Sequence, residues 1–268
     1  MAGNSAALET YRQNMAALRE EAARRMALAA EPCADEDARR PRLNRLLGEL
    51  SYLAEPLARP FRTIDIAPAA IPKRVMILPG FAARPSRMRY LANQLERAGH
   101  RVKRWGLGMN WGTDRDKFAK LEKRLENVFE KKREPVYLIG WSLGGLYARE
   151  LAKRHPDKIA KVITMGSPFS HSPRSNNVWR IYQAITGQRV DKPPIDIDDM
   201  AGKPPVETVA LWSPRDGAIH PRSACGKAGE RDRAIAMRCT HMGFCFDKHV
   251  IETLAAELDG PHPESTMN

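Results

Sequence analysis

Hydrophobic positions follow a helical pattern in the first part of the chain. Over residues 5–30, apolar side chains return every three or four positions, which is the spacing of one face of an α-helix. The positions that form this stripe are Leu8, Tyr11, Met15, Leu18, Ala22 and Met26. A leucine pattern over residues 42–53 predicts a second helix, which Pro56 and Pro60 would end. We therefore expect residues 1–60 to form an N-terminal helical extension.

From residue 61 onward, short apolar runs alternate with longer helical patterns. The runs that predict strands are RTIDIAP, RVMILPG, HRVKRWGLG, PVYLIG, IAKVITMGS, VETVALWS and RAIAMRC. Helical spacing is found between several of them, and a last helix is predicted over 247–258. Strands that alternate with helices are typical of βαβ crossovers. We expect an α/β fold with a mostly parallel, doubly wound sheet flanked by helices.

The alternation is interrupted between residues 167 and 205, in a stretch rich in serine, proline and asparagine. A long irregular insertion inside such a regular pattern is often a lid or a substrate-facing loop. We expect one α/β domain over residues 61–260, with a lid-like insertion at 167–205 and a tail at 261–268.

Composition narrows the class of protein. Hydrophobic residues make up 43% of the 268 positions. The sequence contains no run of about 18 uncharged apolar residues, so it predicts no membrane span. The N-terminus lacks a basic start followed by an apolar block, so we expect a cytoplasmic protein. The four cysteines (Cys33, Cys225, Cys239 and Cys245) show no CxxC spacing. Free thiols are the simplest interpretation, and a pairing of Cys225 with Cys239 or Cys245 stays open.

The net charge of +12 is concentrated in one region. Residues 61–133 contain 18 Lys and Arg against 7 Asp and Glu, an excess of 11. Such a region attracts anionic partners, although a solvated helix face is the simpler interpretation. We expect no nucleic-acid partner and leave open a peripheral contact with acidic lipid.

The most informative motif is Gly140-Trp141-Ser142-Leu143-Gly144, which fits G-x-S-x-G. A predicted strand enters it and a predicted helix leaves it, as a nucleophile elbow requires. The glycines permit a tight turn that holds the serine hydroxyl above the sheet. Ser142 is therefore the predicted nucleophile.

A serine needs a base to take its proton and an acid to orient that base. Asp216 follows the strand VETVALWS, and His241 follows the strand RAIAMRC. Both come after Ser142 in the chain order that this elbow fold requires, and both fall at the same edge of the predicted sheet. We predict Asp216 as the orienting acid and His241 as the general base.

An acyl-transfer site also needs donors for the oxyanion. The backbone N–H of Leu143 is one candidate, and the N–H of Phe81, in the loop after the strand RVMIL, is the other. Trp141, Trp105 and Phe169 are the predicted substrate contacts.

The chain resembles lipase- and esterase-type α/β-hydrolases of bacteria between about residues 72 and 258. The resemblance is carried by LPGF, MRYLANQLERAGHRV, WGLGMNWG, LIGWSLGGLYARELAKRHPDKI, VITMGSPF and SPRDGAI followed by HMGF. It implies a Ser–Asp–His hydrolase, carried over onto Ser142, Asp216 and His241, with Phe81 and Leu143 as oxyanion donors. Many relatives have His-Gly in place of Pro79-Gly80 and Cys in place of Met242. Residues 1–60 are not covered.

We expect an enzyme that cleaves a small-molecule or lipid carboxylic ester through an acyl-enzyme on Ser142, with no cofactor and no metal. An acyltransferase with the same three side chains is the first alternative. A hydrolase fold retained as a binding module with a basic surface is the second. The helices of residues 1–60 could cap the site or form a homodimer contact.

Overall fold

The computed structural model describes residues 2–58, 62–112, 114–193, 195 and 199–260. The predicted tail at 261–268 and the predicted boundary between residues 60 and 61 lie outside these ranges. No helix in the described part of the chain has the length and apolar character needed to cross a bilayer.

A six-stranded sheet forms the centre of the molecule. Its strands are β1 (Arg74–Leu78), β2 (Arg101–Arg104), β3 (Val136–Trp141), β4 (Ile159–Met165), β5 (Glu207–Trp212) and β6 (Arg233–Ala236). They lie in the order β2-β1-β3-β4-β5-β6, and each of these neighbouring pairs is parallel. Because the carboxyl ends of parallel strands share one edge, the loops after β1, β3, β4 and β5 meet there.

Helices surround the sheet and extend from it at the N-terminus. They are α1 (Ala2–Ala30), α2 (Leu43–Gly48), α3 (Glu55–Ala58), α4 (Arg89–Arg97), α5 (Arg115–Phe129), α6 (Leu143–Arg154), α7 (Trp179–Thr186), α8 (Pro221–Cys225) and α9 (Lys248–Asp259). Short 3₁₀ turns lie at Glu49–Ala54, Pro85–Met88, Pro156–Lys158 and Met242–Cys245. The predicted α/β fold is confirmed.

The core consists of two apolar layers, one on each face of the sheet. Alternate β1 residues enter different layers: Val75 and Ile77 pack with α4 and α9, whereas Met76 and Leu78 pack with α5 and α6. All four are at most 2% exposed. The near-continuous apolar runs of the strands are therefore explained by burial on both faces.

One predicted strand is absent. Residues 62–68 have no regular secondary structure and pair with no described strand, although Ile64 and Ile66 pack, partly buried, against the α4 and α9 layer. The short apolar run that predicted a strand here reflects the partial burial of these two side chains. Pro68 and Pro72 follow, and proline has no N–H with which to join a ladder.

The predicted N-terminal helix is present as α1. Much of its apolar stripe lies at the surface, because Leu8, Tyr11, Leu18 and Met26 are all more than half exposed. The second helical region does not end at Pro56, which lies in the first turn of α3. Proline is tolerated there because the first N–H groups of a helix have no intrahelical partner.

The insertion at 167–205 contains a helix that the sequence pattern did not predict. Helix α7 spans eight residues and is followed by Gly187, which adopts the left-handed conformation at φ 68°. Its amphipathic pattern is short and is flanked by Pro-, Ser- and Asn-rich segments, which concealed it.

All four cysteines are free thiols. The open possibility that Cys225 pairs with Cys239 or Cys245 is therefore not realised. Cys239 and Cys245 are buried, and burial raises the pKa of both thiols.

Candidate active site

Ser142 lies in a sharp turn between β3 and α6. Its backbone has φ 54° and ψ −123°, a conformation that costs a non-glycine residue about 1–3 kcal/mol. The turn closes so tightly that a Cβ at Gly140 would lie 2.4 Å from the Gly144 carbonyl oxygen, and one at Gly144 would lie 2.2 Å from that of Leu78. The G-x-S-x-G motif thus forms the strand–turn–helix that its sequence predicted.

Asp216 and His241 form a buried hydrogen-bonded pair. His241 Nδ1 and Asp216 Oδ2 are 2.8 Å apart, and the two residues are 6% and 1% exposed. The other carboxylate oxygen of Asp216 accepts hydrogen bonds from the backbone N–H groups of Ala218 and Ile219, at 2.9 and 2.7 Å. Asp216 is therefore fixed in position, and its contact fixes the orientation of the imidazole.

Charge and burial act in opposite directions on His241. Burial lowers the pKa of His241, but the Asp216 carboxylate and the Glu49 carboxylate outweigh it, so the pKa lies above its ordinary value.

The Asp216–His241 pair lies beside the elbow. Trp141, which precedes Ser142, donates from Nε1 to the His241 carbonyl oxygen at 3.1 Å, and the two rings are 5.4 Å apart between centroids. Gly166, directly after β4, leaves room for this pair of side chains. A Cβ at Gly166 would lie 3.0 Å from Asp216 Oδ2 and 3.1 Å from His241 Nδ1. Three separate loops therefore meet at the carboxyl edge of the sheet.

The loop after β1 approaches the serine closely. A Cβ at Gly80 would lie 3.1 Å from the Ser142 Cβ, so the backbone that leads to Phe81 passes next to the nucleophile candidate. Leu143, the other predicted donor, opens α6, where backbone N–H groups lack intrahelical partners and favour negative charge.

Asn110 holds the loop after β1 in place. It is fully buried, and its Nδ2 donates to the Pro79 carbonyl oxygen at 2.7 Å. Its backbone bonds Ala82 and Ala83, at 2.6 and 3.0 Å. The sequence placed Asn110 within the motif WGLGMNWG but assigned it no role.

A cavity opens beside Ser142 with mostly apolar walls. Phe81, Leu143, Leu146 and Tyr147 line it from the α/β domain. The insertion supplies much of the remaining wall, with Pro168, Pro173, Asn176, Val178, Trp179, Tyr182, Val190, Pro193, Ile195 and Met200. The insertion therefore covers the space next to the serine.

None of the three predicted substrate contacts lines this cavity. Trp105 is buried in the α5 and α6 layer and donates to the Gly108 carbonyl oxygen at 2.9 Å. Phe169 is 1% exposed and packs under the Arg149 guanidinium, 4.0 Å from its ring centroid. Both therefore serve packing and do not line the cavity. Trp141 lines a separate groove, and Phe81 forms part of the wall of both spaces.

The N-terminal segment, which we define as residues 2–58, contacts the insertion. Arg24 and Arg25 on α1 donate to the carbonyl oxygens of Gly187 and Ile185, at 3.3 and 2.8 Å. In return, Gln183 on α7 donates to the Leu28 carbonyl oxygen at 2.7 Å. The segment thus holds the insertion; a homodimer contact through it stays a prediction.

The chain shows similarity to known hydrolases. A family model described as the α/β hydrolase fold matches residues 119–190. A pimeloyl-acyl-carrier-protein methyl ester esterase of Aromatoleum aromaticum is 34% identical over 80 residues, which cover 30% of this chain and 32% of that protein. The biotin biosynthesis bifunctional protein of Teredinibacter turnerae is 60% identical over 30 residues, 11% of this chain and 5% of that protein. The matches span at most about a third of these curated relatives.

Among solved structures, a metagenome-derived lipolytic enzyme aligns with a TM-score of 0.51 at 17% identity. The alignment covers 73% of this chain and 99% of that one. At such low identity the alignment supports the fold alone. That fold agrees with the sheet order and the elbow described above. The chain has the α/β-hydrolase fold, and the proteins to which it is similar include esterases and a lipolytic enzyme.

Proposed function

We propose that this protein hydrolyses carboxylic esters, with Ser142 as nucleophile, His241 as general base and Asp216 as the acid that orients it. The observation that carries the proposal is the buried 2.8 Å contact between His241 Nδ1 and Asp216 Oδ2, beside the elbow that presents Ser142. Because Nδ1 is engaged by Asp216, Nε2 is the imidazole nitrogen that can accept a proton from the serine.

In the first half-reaction, Ser142 Oγ attacks the ester carbonyl carbon and its proton passes to His241 Nε2. The carbonyl oxygen becomes an oxyanion, which the backbone N–H groups of Phe81 and Leu143 stabilise. When the tetrahedral intermediate collapses, the bond between the carbonyl carbon and the alkoxy oxygen breaks. His241 returns its proton to that oxygen, and the alcohol leaves.

In the second half-reaction, a water molecule takes the place of the alcohol. His241 accepts a proton from the water as its oxygen attacks the acyl carbon. The bond to Ser142 Oγ then breaks, and the proton on His241 restores the serine hydroxyl while the carboxylic acid leaves. Asp216 stabilises the imidazolium in both halves.

The apolar cavity supports an ester with an apolar group on at least one side of the carbonyl. Phe81, Leu146, Trp179 and Tyr182 would contact that group. Burial of each methylene against such walls favours binding by about 0.8 kcal/mol, so affinity is expected to rise with chain length until the cavity is filled.

The test is labelling with a fluorophosphonate probe, together with turnover of a p-nitrophenyl ester series. We expect wild-type protein to be labelled and to release p-nitrophenol, and Ser142→Ala to do neither at a measurable rate. Turnover in the absence of labelling would assign the chemistry to another residue. Product analysis with added alcohols separates hydrolysis from acyl transfer, because an acyltransferase would form the new ester in preference to the free acid.

A further inference from the structure

Glu49 is a buried carboxylate in the N-terminal segment, far from the site in sequence. It opens the 3₁₀ turn Glu49–Ala54 and is 8% exposed. Its Oε1 accepts hydrogen bonds from the backbone N–H groups of Gly217 and His241, both at 2.8 Å. Its Oε2 accepts a third from Met242, also at 2.8 Å. One side chain thereby bonds two loops of the proposed active site.

The two loops are the ones that carry the proposed acid and base. Gly217 directly follows Asp216, and His241 is itself a donor through its backbone. The Glu49 carboxylate therefore spans the gap between these loops on the backbone side, while Asp216 Oδ2 and His241 Nδ1 span it on the side-chain side. Hydrogen bonds to an ionised acceptor are roughly twice as strong as neutral ones, so this second bridge is a strong one.

The packing around Gly217 shows independently that the N-terminal segment is fitted to the acid loop. A Cβ at Gly217 would lie 2.4 Å from the Arg45 carbonyl oxygen of α2, a distance that no real Cβ adopts. Asn177 joins the same pieces, because its Nδ2 donates to the carbonyl oxygens of Pro41 and Gly217, at 3.1 and 2.8 Å. Glycine at 217 thus permits the close approach that brings Glu49 to the loops.

We propose that Glu49 is a positioning residue for ester hydrolysis: from the N-terminal segment, its carboxylate fixes the acid and base loops in register and places a negative charge beside the imidazole. The inference rests on the proposed function, because it assigns Glu49 a role in that reaction. Glu49 acts through Asp216 and His241 and does not itself touch the ester.

Two carboxylates act on His241: Asp216 from the loop after β5 and Glu49 from the N-terminal segment. Burial lowers the pKa of His241, and both carboxylates raise it. Because the base must be neutral to accept the serine proton, activity rises with pH through this pKa. Removal of the Glu49 charge therefore moves the acid limb of the pH profile to lower pH.

The experiment compares Glu49→Gln and Glu49→Asp with wild type in the chain of 268 residues. The rate of fluorophosphonate labelling at Ser142 is measured across pH 5 to 9, together with kcat and KM on one p-nitrophenyl ester. The side-chain oxygen of Gln can still accept the hydrogen bonds from the Gly217 and His241 N–H groups. Its NH₂ group would face the Met242 N–H, and the negative charge of the carboxylate is lost. Asp keeps the charge but is one methylene too short to reach both loops.

For Glu49→Gln we expect kcat and the labelling rate to fall by about tenfold to a hundredfold, since a displacement of about 1 Å costs about a hundredfold. Its KM changes little, and its acid limb moves to lower pH. For Glu49→Asp we expect a fall in kcat with the acid limb nearer its original position.

Glu55→Gln is the matched control. Glu55 is another buried carboxylate of the N-terminal segment, at 5% exposed, and it pairs with Arg62 at 2.9 Å. We expect Glu55→Gln to lower the melting temperature without moving the acid limb.

A Glu49→Gln protein with the labelling rate and pH profile of Glu55→Gln contradicts the inference. Loss of a cooperative thermal transition in both Glu49 variants also contradicts it, because Glu49 would then support the fold as a whole. Failure of wild type to label counts against the proposed function instead.

Discussion

The central sheet and the N-terminal segment are built in different ways. Strand residues such as Val75, Met76 and Leu138 are fully buried and are paired through backbone ladders. In the N-terminal segment, Leu43, Leu47 and Leu57 are each at least 70% exposed. Its polar contacts include hydrogen bonds to the insertion and to the loops of Asp216 and His241.

This difference suggests a division of roles. Burial of apolar surface stabilises a fold at about 25 cal/mol per Å², so the sheet and its two apolar layers carry most of the stability. The N-terminal segment buries less, but its contacts fall where the proposed chemistry is arranged. Substitutions in the sheet should therefore change stability or abolish activity, whereas those in the segment should adjust activity.

The largest effect is expected for Asp216→Asn, at the carboxyl end of β5. Asn can still accept hydrogen bonds from Ala218 and Ile219, so the melting temperature should stay close to that of wild type. The imidazole would lose its anionic partner and take the wrong tautomer, a change that in serine proteases lowers kcat by about 10⁴-fold. Steady-state kinetics on a p-nitrophenyl ester measure the effect.

Asp247→Asn serves as its control, because Asp247 caps α9 and Asn caps a helix about equally well. We expect less than a twofold change in kcat for this variant. Equal activity of Asp216→Asn and wild type would remove Asp216 from the proposed mechanism.

The sequence predicted the sheet and the proposed triad because their signals are local. The apolar runs of the strands can be read directly from the sequence, and Ser142, Asp216 and His241 each come shortly after one of them. Glu49 could not be found in this way, because it meets His241 across 192 positions and sits in an ordinary leucine-rich helical pattern. Contacts of this kind depend on how two elements pack in space.

Some predictions failed because a pattern has more than one physical cause. The alternation at Ile64 and Ile66 indicates burial without strand pairing. Trp105 and Phe169 are aromatic residues near predicted loops, and their large side chains fill the core instead. The role of Asn110 depends on loop bonds that no periodicity encodes.

The next effect is on stability and concerns Gly144 within the elbow. A methyl group there would lie 2.2 Å from the Leu78 carbonyl oxygen, and the backbone of β1 and α6 would have to separate. We expect Gly144→Ala to lower the free energy of unfolding by about 3 kcal/mol, at the upper end of the usual cost of overpacking. Urea unfolding followed by circular dichroism measures the change.

Gly48→Ala provides the matched comparison in the N-terminal segment. A Cβ at Gly48 would meet nothing within 4 Å, and its φ of −60° suits any residue. The substitution should therefore be neutral or raise stability by about 0.4–1 kcal/mol through the unfolded state. Equal losses in the two variants would contradict the contrast between a tightly packed sheet and an open segment.

The smallest effect is expected where α1 holds the insertion. Arg25→Ala removes the hydrogen bond to the Ile185 carbonyl oxygen, at the end of the helix that supplies Trp179 and Tyr182 to the cavity wall. A hydrogen bond of this kind contributes about 1 kcal/mol, so its loss should weaken the packing of α7 against α1 by a factor of about five. We expect KM for a long-chain ester to rise by at most that factor, with kcat within twofold of wild type.

Arg19→Ala, at an exposed position of the same helix, should leave both values unchanged. The comparison of a short with a long ester sharpens the result, because only a long acyl group would extend under α7. An equal KM increase for both esters would mean that α1 affects Ser142 and not the cavity wall. The contacts of the N-terminal segment with the insertion and its contacts with the Asp216 and His241 loops would then no longer have separate roles.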